Sequence, residues 1–319
     1  TGDSDGGCFW TGRGPLPMPW TEQTTALVPL GLMDNAGKPF VGDARNALAM
    51  ILDRFAALDL HPVVGFEMEF YLANPQGGND GQRAAAASPL TGAKPIRDGA
   101  LAIDEVNDHD SLINEIYAAC KLQKIEADTT ISEAGLGQFE INLVHSHDAM
   151  KAADDAAFFK QIAKGVARKY GLAASFMAKP YADRPGNGMH LHVSLLNGKG
   201  ENVFDDGSDA GSPVLGHALA GGLAGLADSM LIFAPHQNSY RRFAIESHAP
   251  MAVCWGYENR TAALRVPLGL PSQRRIEHRV SGADANPYLV LAAILGAILT
   301  GLEYQKPPPP PITSSSYSL

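Results

Sequence analysis

The chain has 319 residues, of which 45% are apolar and 18% charged, enough apolar mass for a sizeable core and inconsistent with global disorder. Lys and Arg number 25 against 34 Asp and Glu, a net charge of −9, so a phosphate-tracking basic face has no compositional support and no nucleic-acid partner is expected. Cys8, Cys120 and Cys254 lie far apart and in no metal spacing, which reads as free, buried thiols in a reducing, cytoplasmic compartment.

Residues 1–38 are rich in Gly, Pro and Trp and read as irregular chain with one strand over 25–31. Asp43 is placed to cap a helix in which Leu48, Ile51, Leu52, Phe55 and Leu58 recur on one face. A β-branched and aromatic stretch, 63–72, predicts a strand, and the aperiodic Gly/Ala/Pro-rich stretch 74–98 predicts a long mobile loop. Helices are predicted over about 110–125 and 148–170, with Gly171 suited to ending the second and strand-like segments between them.

Beyond a strand at 189–196, a Gly/Ala-rich helix is predicted over 213–233, loops and short strands over 235–281, and a last helix from about 284 to before Lys306. The apolar run in that helix, 288–302, is shorter than the roughly 20 residues of a membrane span, so no membrane partner is expected. Prolines 307–311 cannot continue a helix and predict an extended spacer. Hairpin-length gaps late in the chain favour an α+β fold with a mainly antiparallel sheet.

Three strand-like segments carry ionisable residues two apart, and a period of two puts each pair on one face: Glu67/Glu69, His190/His192 and Glu277/Arg279. Carboxylates inside an apolar strand need a cation or water on that face, although each pair alone also reads as a solvated sheet face. Glu133 and Glu140 flank a Gly-rich turn and add two more. Together these carboxylates and one histidine would repel one another unless divalent cations neutralise them, and hard oxygen ligands with one imidazole suit Mg²⁺ or Mn²⁺. Arginines cluster nearby in sequence, at 241/242, 260, 265, 274/275 and 279, and guanidinium forks bind carboxylates and phosphates. A metal-assisted phosphoryl-transfer site follows, with structural ion pairs the bland alternative for any one arginine.

The segments GFEMEF, EAGLGQFEINL, GNGMHLHVSL, NSYRR, ENRTAALRVP and RRIEHRVSGADANPYL, in this order over about 40–305, resemble the glutamine synthetase family. The resemblance implies a catalytic domain over 39–306 built on a curved, half-barrel sheet flanked by helices, with 1–38 the tail of an N-terminal β-grasp domain and 307–319 a Pro-rich extension. The stretch Asp3–Ser4–Asp5 looks like that tail, and the family's acidic residue from a neighbouring subunit's β-grasp loop has no counterpart in 1–38.

By the same carry-over, Glu69, Glu133 and Glu140 hold one metal and Glu67, His190 and Glu277 the nucleotide-side metal, with two or three Mg²⁺ or Mn²⁺ per site. Arg242 and Arg279 grip L-glutamate beside the Gly186–Gly188 turn, and Arg260 assists phosphoryl transfer. His192, Ser194, Arg265 and Arg275 contact ATP, His192 as a packed strand histidine being the competing reading. Glutamine synthetases carry Glu two residues before the Pro that closes the NSY-containing loop; here that position is His248, a base without the fixed negative charge that favours ammonium. With the style of the NSYRRF and WGYENRTAALRVP segments, this resembles the γ-glutamylpolyamine branch. The implied activity is ATP-dependent ligation of L-glutamate to an amine, putrescine or another polyamine, in a ring-shaped homo-oligomer. The rivals are ammonia-using glutamine synthetase and a non-catalytic glutamate- or nucleotide-binding scaffold.

Overall fold

A computed structural model of the chain describes residues 6–76, 85–92 and 99–319. The stretch at 3–5 and much of the 74–98 segment lie outside the described residues.

The N-terminal segment forms two small two-stranded antiparallel sheets in place of one strand: β1 (Gly7–Trp10) pairs with β4 (Leu30–Met33), and β2 (Leu16–Pro17) with β3 (Ala26–Leu27). The Gly/Pro content hid these strands because each is only two to four residues long. Cys8 is exposed on β1, contrary to its expected burial, whereas Cys120 and Cys254 are buried.

Helix α1 (Ala44–Ala57) starts where expected, with the Asp43 carboxylate accepting the Arg45 N–H at 2.9 Å. Leu48 and Phe55 are fully buried, while Leu58 closes the helix as its C-cap and is exposed. Strand β5 (Leu60–Ala73) follows and organises the fold by alternation. Val64, Phe66, Met68, Phe70 and Leu72 enter the helix-covered core, which leaves Gly65, Glu67, Glu69 and Tyr71 on the opposite face.

A short helix that sequence periodicity did not reveal, α2 (Ile103–Asp108), precedes α3 (Asp110–Leu122). Strands β6 (Ala127–Ser132) and β7 (Gln138–Leu143) form a hairpin leading to α4 (Ala149–Lys169). The Asp148 carboxylate caps α4, and Gly171, at φ 68°, sits in the left-handed region after its end. Buried Asp154 of α4 takes hydrogen bonds from Arg45 and Tyr288, while Asp155 pairs with Arg13 and Lys151, which fastens the N-terminal segment to the core.

Strands β8 (Ala173–Ser175) and β9 (Met189–Asn197) come next. The predicted 213–233 helix breaks into α5 (Pro213–Leu226) and α6 (Met230–Phe233), with Ala227, Asp228 and Ser229 between them. Then come α7 (Gln237–Tyr240), β10 (Trp255–Tyr257), β11 (Leu264–Val266), β12 (Ile276–His278) and α8 (Pro287–Tyr304). Helix α8 is long and apolar enough to cross a membrane by composition, but Val290, Leu291, Ile294, Leu295, Ile298 and Leu299 are buried, packed with α1, α4 and α5 in the core.

The main sheet has eight strands in the order β10-β11-β12-β9-β5-β7-β6, with β8 also paired to β5. Every pair is antiparallel except β10–β11, and the sheet is open. The prolines at 307–311 are extended, yet they do not form a free spacer. The Trp255 indole N–H donates to the Pro309 carbonyl at 2.7 Å, docking the segment on β10.

Candidate functional site

Register builds the site. Glu67 pairs with His190 of β9 on one side and Asn142 of β7 on the other, Glu69 pairs with Glu140, and His192 lies between Gly65 and Glu277, which in turn pairs with Arg265. Partners across antiparallel strands share a face, so four carboxylates and two imidazoles from β5, β7, β9 and β12 converge on the face turned away from the helices.

Ligand atoms of Glu67, His190 and Glu277 lie within 4.8 Å of one another, and so do those of Glu69, Glu140 and His190. The first trio coincides with the nucleotide-side set. In the second, His190 stands where the sequence reading has Glu133, which lies half-buried on the turn after β6. Burial together with neighbouring Glu69 pushes the Glu133 acid up to about 7, while the Arg260 guanidinium pulls the other way. Burial and then Glu67, Glu69 and Glu133 push Glu140 up to about 10. Glu133 and Glu140 thus crowd against like-charged neighbours, and hard oxygen donors with one imidazole suit divalent cations such as Mg²⁺ or Mn²⁺.

Glu67 and Glu277 are held ionised. Against the cost of burial, hydrogen bonds from His190 Nδ1 at 3.0 Å and His192 Nε2 at 2.7 Å keep Glu67 well below the usual carboxylate range. Glu277 is fully buried; Arg279, His192 and His190 outweigh that burial and draw it down to about 2. Its oxygens also take hydrogen bonds from Arg265 Nε and Arg279 Nη1. Glu69 accepts the Gly188 N–H at 2.6 Å.

His192 is engaged through both ring nitrogens. Arg275 Nε donates to its Nδ1 at 3.0 Å, which assigns the proton to Nε2, facing Glu67. It thereby orients the Glu67 carboxylate, and it also lines the cavity of about 290 Å³ beside the cluster. Arg265 likewise sits against Glu277, buried, and lines neither cavity beside the cluster. Ser194 and Arg275 do line a cavity of about 410 Å³ with His145, Asn202 and Gln273. His145 and Arg275 also line the cavity of about 290 Å³, which reaches Glu67 and Asp128.

His145 escaped the sequence reading. Its ring lies 2.9 Å from where a Cβ on Gly65 would stand, so the glycine in β5 makes room for it. Burial, His192 and Arg275 lower its pKa to about 4, which keeps the ring neutral. The one available signal was the alternation His145–Ser146–His147 immediately after a strand.

The Gly186–Gly188 turn is fixed by buried amides. Gln138 Nε2 donates to the Gly186 carbonyl at 2.9 Å and to Asn187 Oδ1 at 3.0 Å, and Asn187 Nδ2 donates to the Ser175 and Met177 carbonyls. A Cβ on Gly188 would lie 2.6 Å from Arg242 Nη2 and 2.7 Å from His190 Nε2, so any larger residue here would displace one of these site side chains. Arg242, buried at the end of α7, donates to the Val280 and Arg279 carbonyls and comes within 3.5 Å of His190. Helix α7 is itself anchored by Ser239 donating to Asp284 at 2.6 Å and Asn238 bridging the backbone of Lys179.

Arg260 and His248 sit apart from the sheet on exposed loops. His248 and Glu246 both adopt left-handed backbone, φ 57° and 62°, around Ser247, whose hydroxyl donates to the Arg242 and Ala244 carbonyls. Among the described residues no hydrogen bond joins His248 to the carboxylate cluster.

Comparison with known proteins gives relatives of one kind. γ-Glutamylputrescine synthetase PuuA of Escherichia coli (strain K12) is 41% identical over 278 residues, which cover 87% of this chain and 59% of that protein. A glutamate–isopropylamine ligase of Pseudomonas sp is 34% identical over 95% of this chain and 65% of its own length. The chain thus spans less than two thirds of the length of these relatives. The solved structure of a GmaS/ADP complex superposes with a TM-score of 0.87 at 30% identity, covering 99% of this chain and 71% of that one. The sequence model of the glutamine synthetase catalytic domain matches residues 41–319, and the chain belongs to the glutamine synthetase family.

Proposed function

We propose that the protein ligates the γ-carboxylate of L-glutamate to an amine with ATP, through a γ-glutamyl phosphate, and that the amine is putrescine or a related polyamine. The observation that carries the reading is the convergence of Glu67, Glu69, Glu140, His190 and Glu277 on one sheet face, with Arg242, Arg279 and Arg260 around it. The PuuA and isopropylamine ligase relatives favour an organic amine over ammonia.

In this reading Glu67, His190 and Glu277 hold one cation and Glu69, Glu140 and Glu133 the other. Bound there, Mg²⁺ or Mn²⁺ supplies positive charge to the phosphates and the carboxylate. ATP lies along the two cavities lined by Ser194, His145 and Arg275. Arg242 and Arg279, each with part of its guanidinium already bonded to protein, orient glutamate beside Gly186–Gly188. A γ-carboxylate oxygen attacks the γ-phosphorus while the bond to ADP breaks, and Arg260 stabilises the charge that spreads over the transferring oxygens. The amine nitrogen then attacks the acyl carbon, phosphate leaves, and His248 takes the amine proton. A ring-shaped homo-oligomer and a reducing, cytoplasmic setting belong to the same proposal.

Phosphate release by the full-length protein with ATP, Mg²⁺ and L-glutamate, comparing putrescine, spermidine, ethanolamine, methylamine and ammonium, tests it. Putrescine or spermidine should give the highest kcat/KM. Preference for ammonium makes the protein a glutamine synthetase, and silence with every amine favours a binding scaffold.

A further inference from the structure

The residues on either side of Arg260 are both tied to the last residues of the chain. Asn259 Nδ2 donates to the Ser314 carbonyl at 2.8 Å. On the other side the Ser316 N–H donates to Thr261 Oγ1 at 2.9 Å, and the Ser316 hydroxyl donates to the Thr261 carbonyl at 2.6 Å. The turn is closed internally by Asn259 Oδ1, which accepts the Thr261 N–H at 3.0 Å and the Thr261 hydroxyl at 2.7 Å. From the side of the cluster, Arg279 Nε holds the Arg260 carbonyl at 3.0 Å.

This strap is itself docked. Its Pro309 carbonyl takes the Trp255 indole N–H, and the Ile312 N–H donates to the Trp255 carbonyl at 2.8 Å. A Cβ on Gly256 would stand 2.8 Å from the Ile312 carbonyl oxygen, so the strap lies directly against β10 and only glycine admits it. The prolines at 307–311 enter with φ already fixed, which lowers the entropy lost in ordering the segment. Ser316 is buried, whereas Arg260 is exposed on a loop with its backbone pinned from both sides. The turn is joined to the cluster through Arg279, whose Nε holds the Arg260 carbonyl while its Nη1 bonds Glu277.

We infer that the 307–319 strap is a positioning element for Arg260, with Ser316, Thr261 and Asn259 as positioning residues that never touch substrate. The inference rests on the proposed role of Arg260 in phosphoryl transfer. A long, rotamer-rich side chain on an exposed turn reaches a transferring phosphoryl group reproducibly only if its backbone is fixed, and a shift of about 1 Å can cost ~10²-fold in rate.

The test is a double-mutant cycle in the full-length protein, followed by phosphate release with putrescine. Thr261→Ala should lower kcat about tenfold with KM for ATP and glutamate unchanged, and Thr261→Ser should restore it. Ser316→Ala should behave like Thr261→Ala. In an Arg260→Lys background, neither change should lower kcat further, because the group being positioned is already impaired. Equal losses in both backgrounds, or a loss that Thr261→Ser does not restore, overturn the inference while leaving the role of Arg260 intact. Undiminished kcat in Arg260→Lys alone removes that role, and the strap's with it.

Discussion

The carboxylate cluster and the Arg260/His248 loops solve the problem of placing a side chain in opposite ways. The cluster is held by strand register: Glu67, Glu69, Glu140, His190 and Glu277 stand on paired strands whose spacing the hydrogen-bond ladder dictates. The loops have no ladder, and their geometry comes from single tethers supplied by distant chain, such as Ser316 on Thr261 and Ser247 on Arg242. Substitution in the sheet should therefore affect chemistry and fold together, and substitution in the loops chemistry alone.

Glu277 gives the largest contrast. Its carboxylate is fully buried between Arg265 and Arg279, so Glu277→Ala strands two buried guanidinium groups, a loss of about 3–5 kcal/mol. Glu277→Gln keeps the shape and part of the hydrogen bonding while removing the charge. Activity should fall by about 10²-fold or more in both variants. Thermal melting should drop steeply only for alanine, and equal melting temperatures for the two would break the picture of a buried charged hub.

The next test concerns cation and proton competition. Glu133, up at about 7, and Glu140, at about 10, have folded-state pKa values above the ordinary 4.5. A carboxyl raised on folding contributes stability that is fully present below about 4.5 and lost as pH rises through 7 and toward 10. Metal-free protein should accordingly soften with rising pH across that window. Divalent cations need the same groups ionised, so Mg²⁺ should raise the melting temperature by about 5 °C more at pH 8.5 than at pH 6. A shift independent of pH, or one that survives unchanged in Glu140→Gln, would detach the cation from this cluster.

The contrast also explains what the sequence could and could not disclose. Glu67/Glu69, His190/His192 and Glu277 were legible because a period of two survives any detail of the loops, Glu140 was legible beside its Gly-rich turn, and register explains how they meet. His145 was not legible, since its place depends on Gly65 leaving room on a neighbouring strand. Nor was the docking of the prolines at 307–311, which depends on an indole N–H some 54 residues away. The split between α5 and α6 was hidden for another reason: Gly/Ala-rich sequence carries little information on where a helix stops.

The smallest effect, and the sharpest test of the loops, is at His248. Its side chain stands on exposed, left-handed backbone with no hydrogen bond into the cluster among the described residues, so replacing it leaves the sheet untouched. His248→Glu should keep the melting temperature within about 1 °C, in keeping with an exposed substitution. A glutamate at this position offers ammonium a fixed negative charge that an imidazole cannot supply. The ratio of kcat/KM for ammonium to that for putrescine should rise about tenfold, the effect of ~1.4 kcal/mol of differential transition-state binding. An unchanged ratio with an unchanged melting temperature would leave His248 outside acceptor choice. Selectivity would then have to be sought in residues fixed by the sheet, and the division of labour between sheet and loops would fail at the amine.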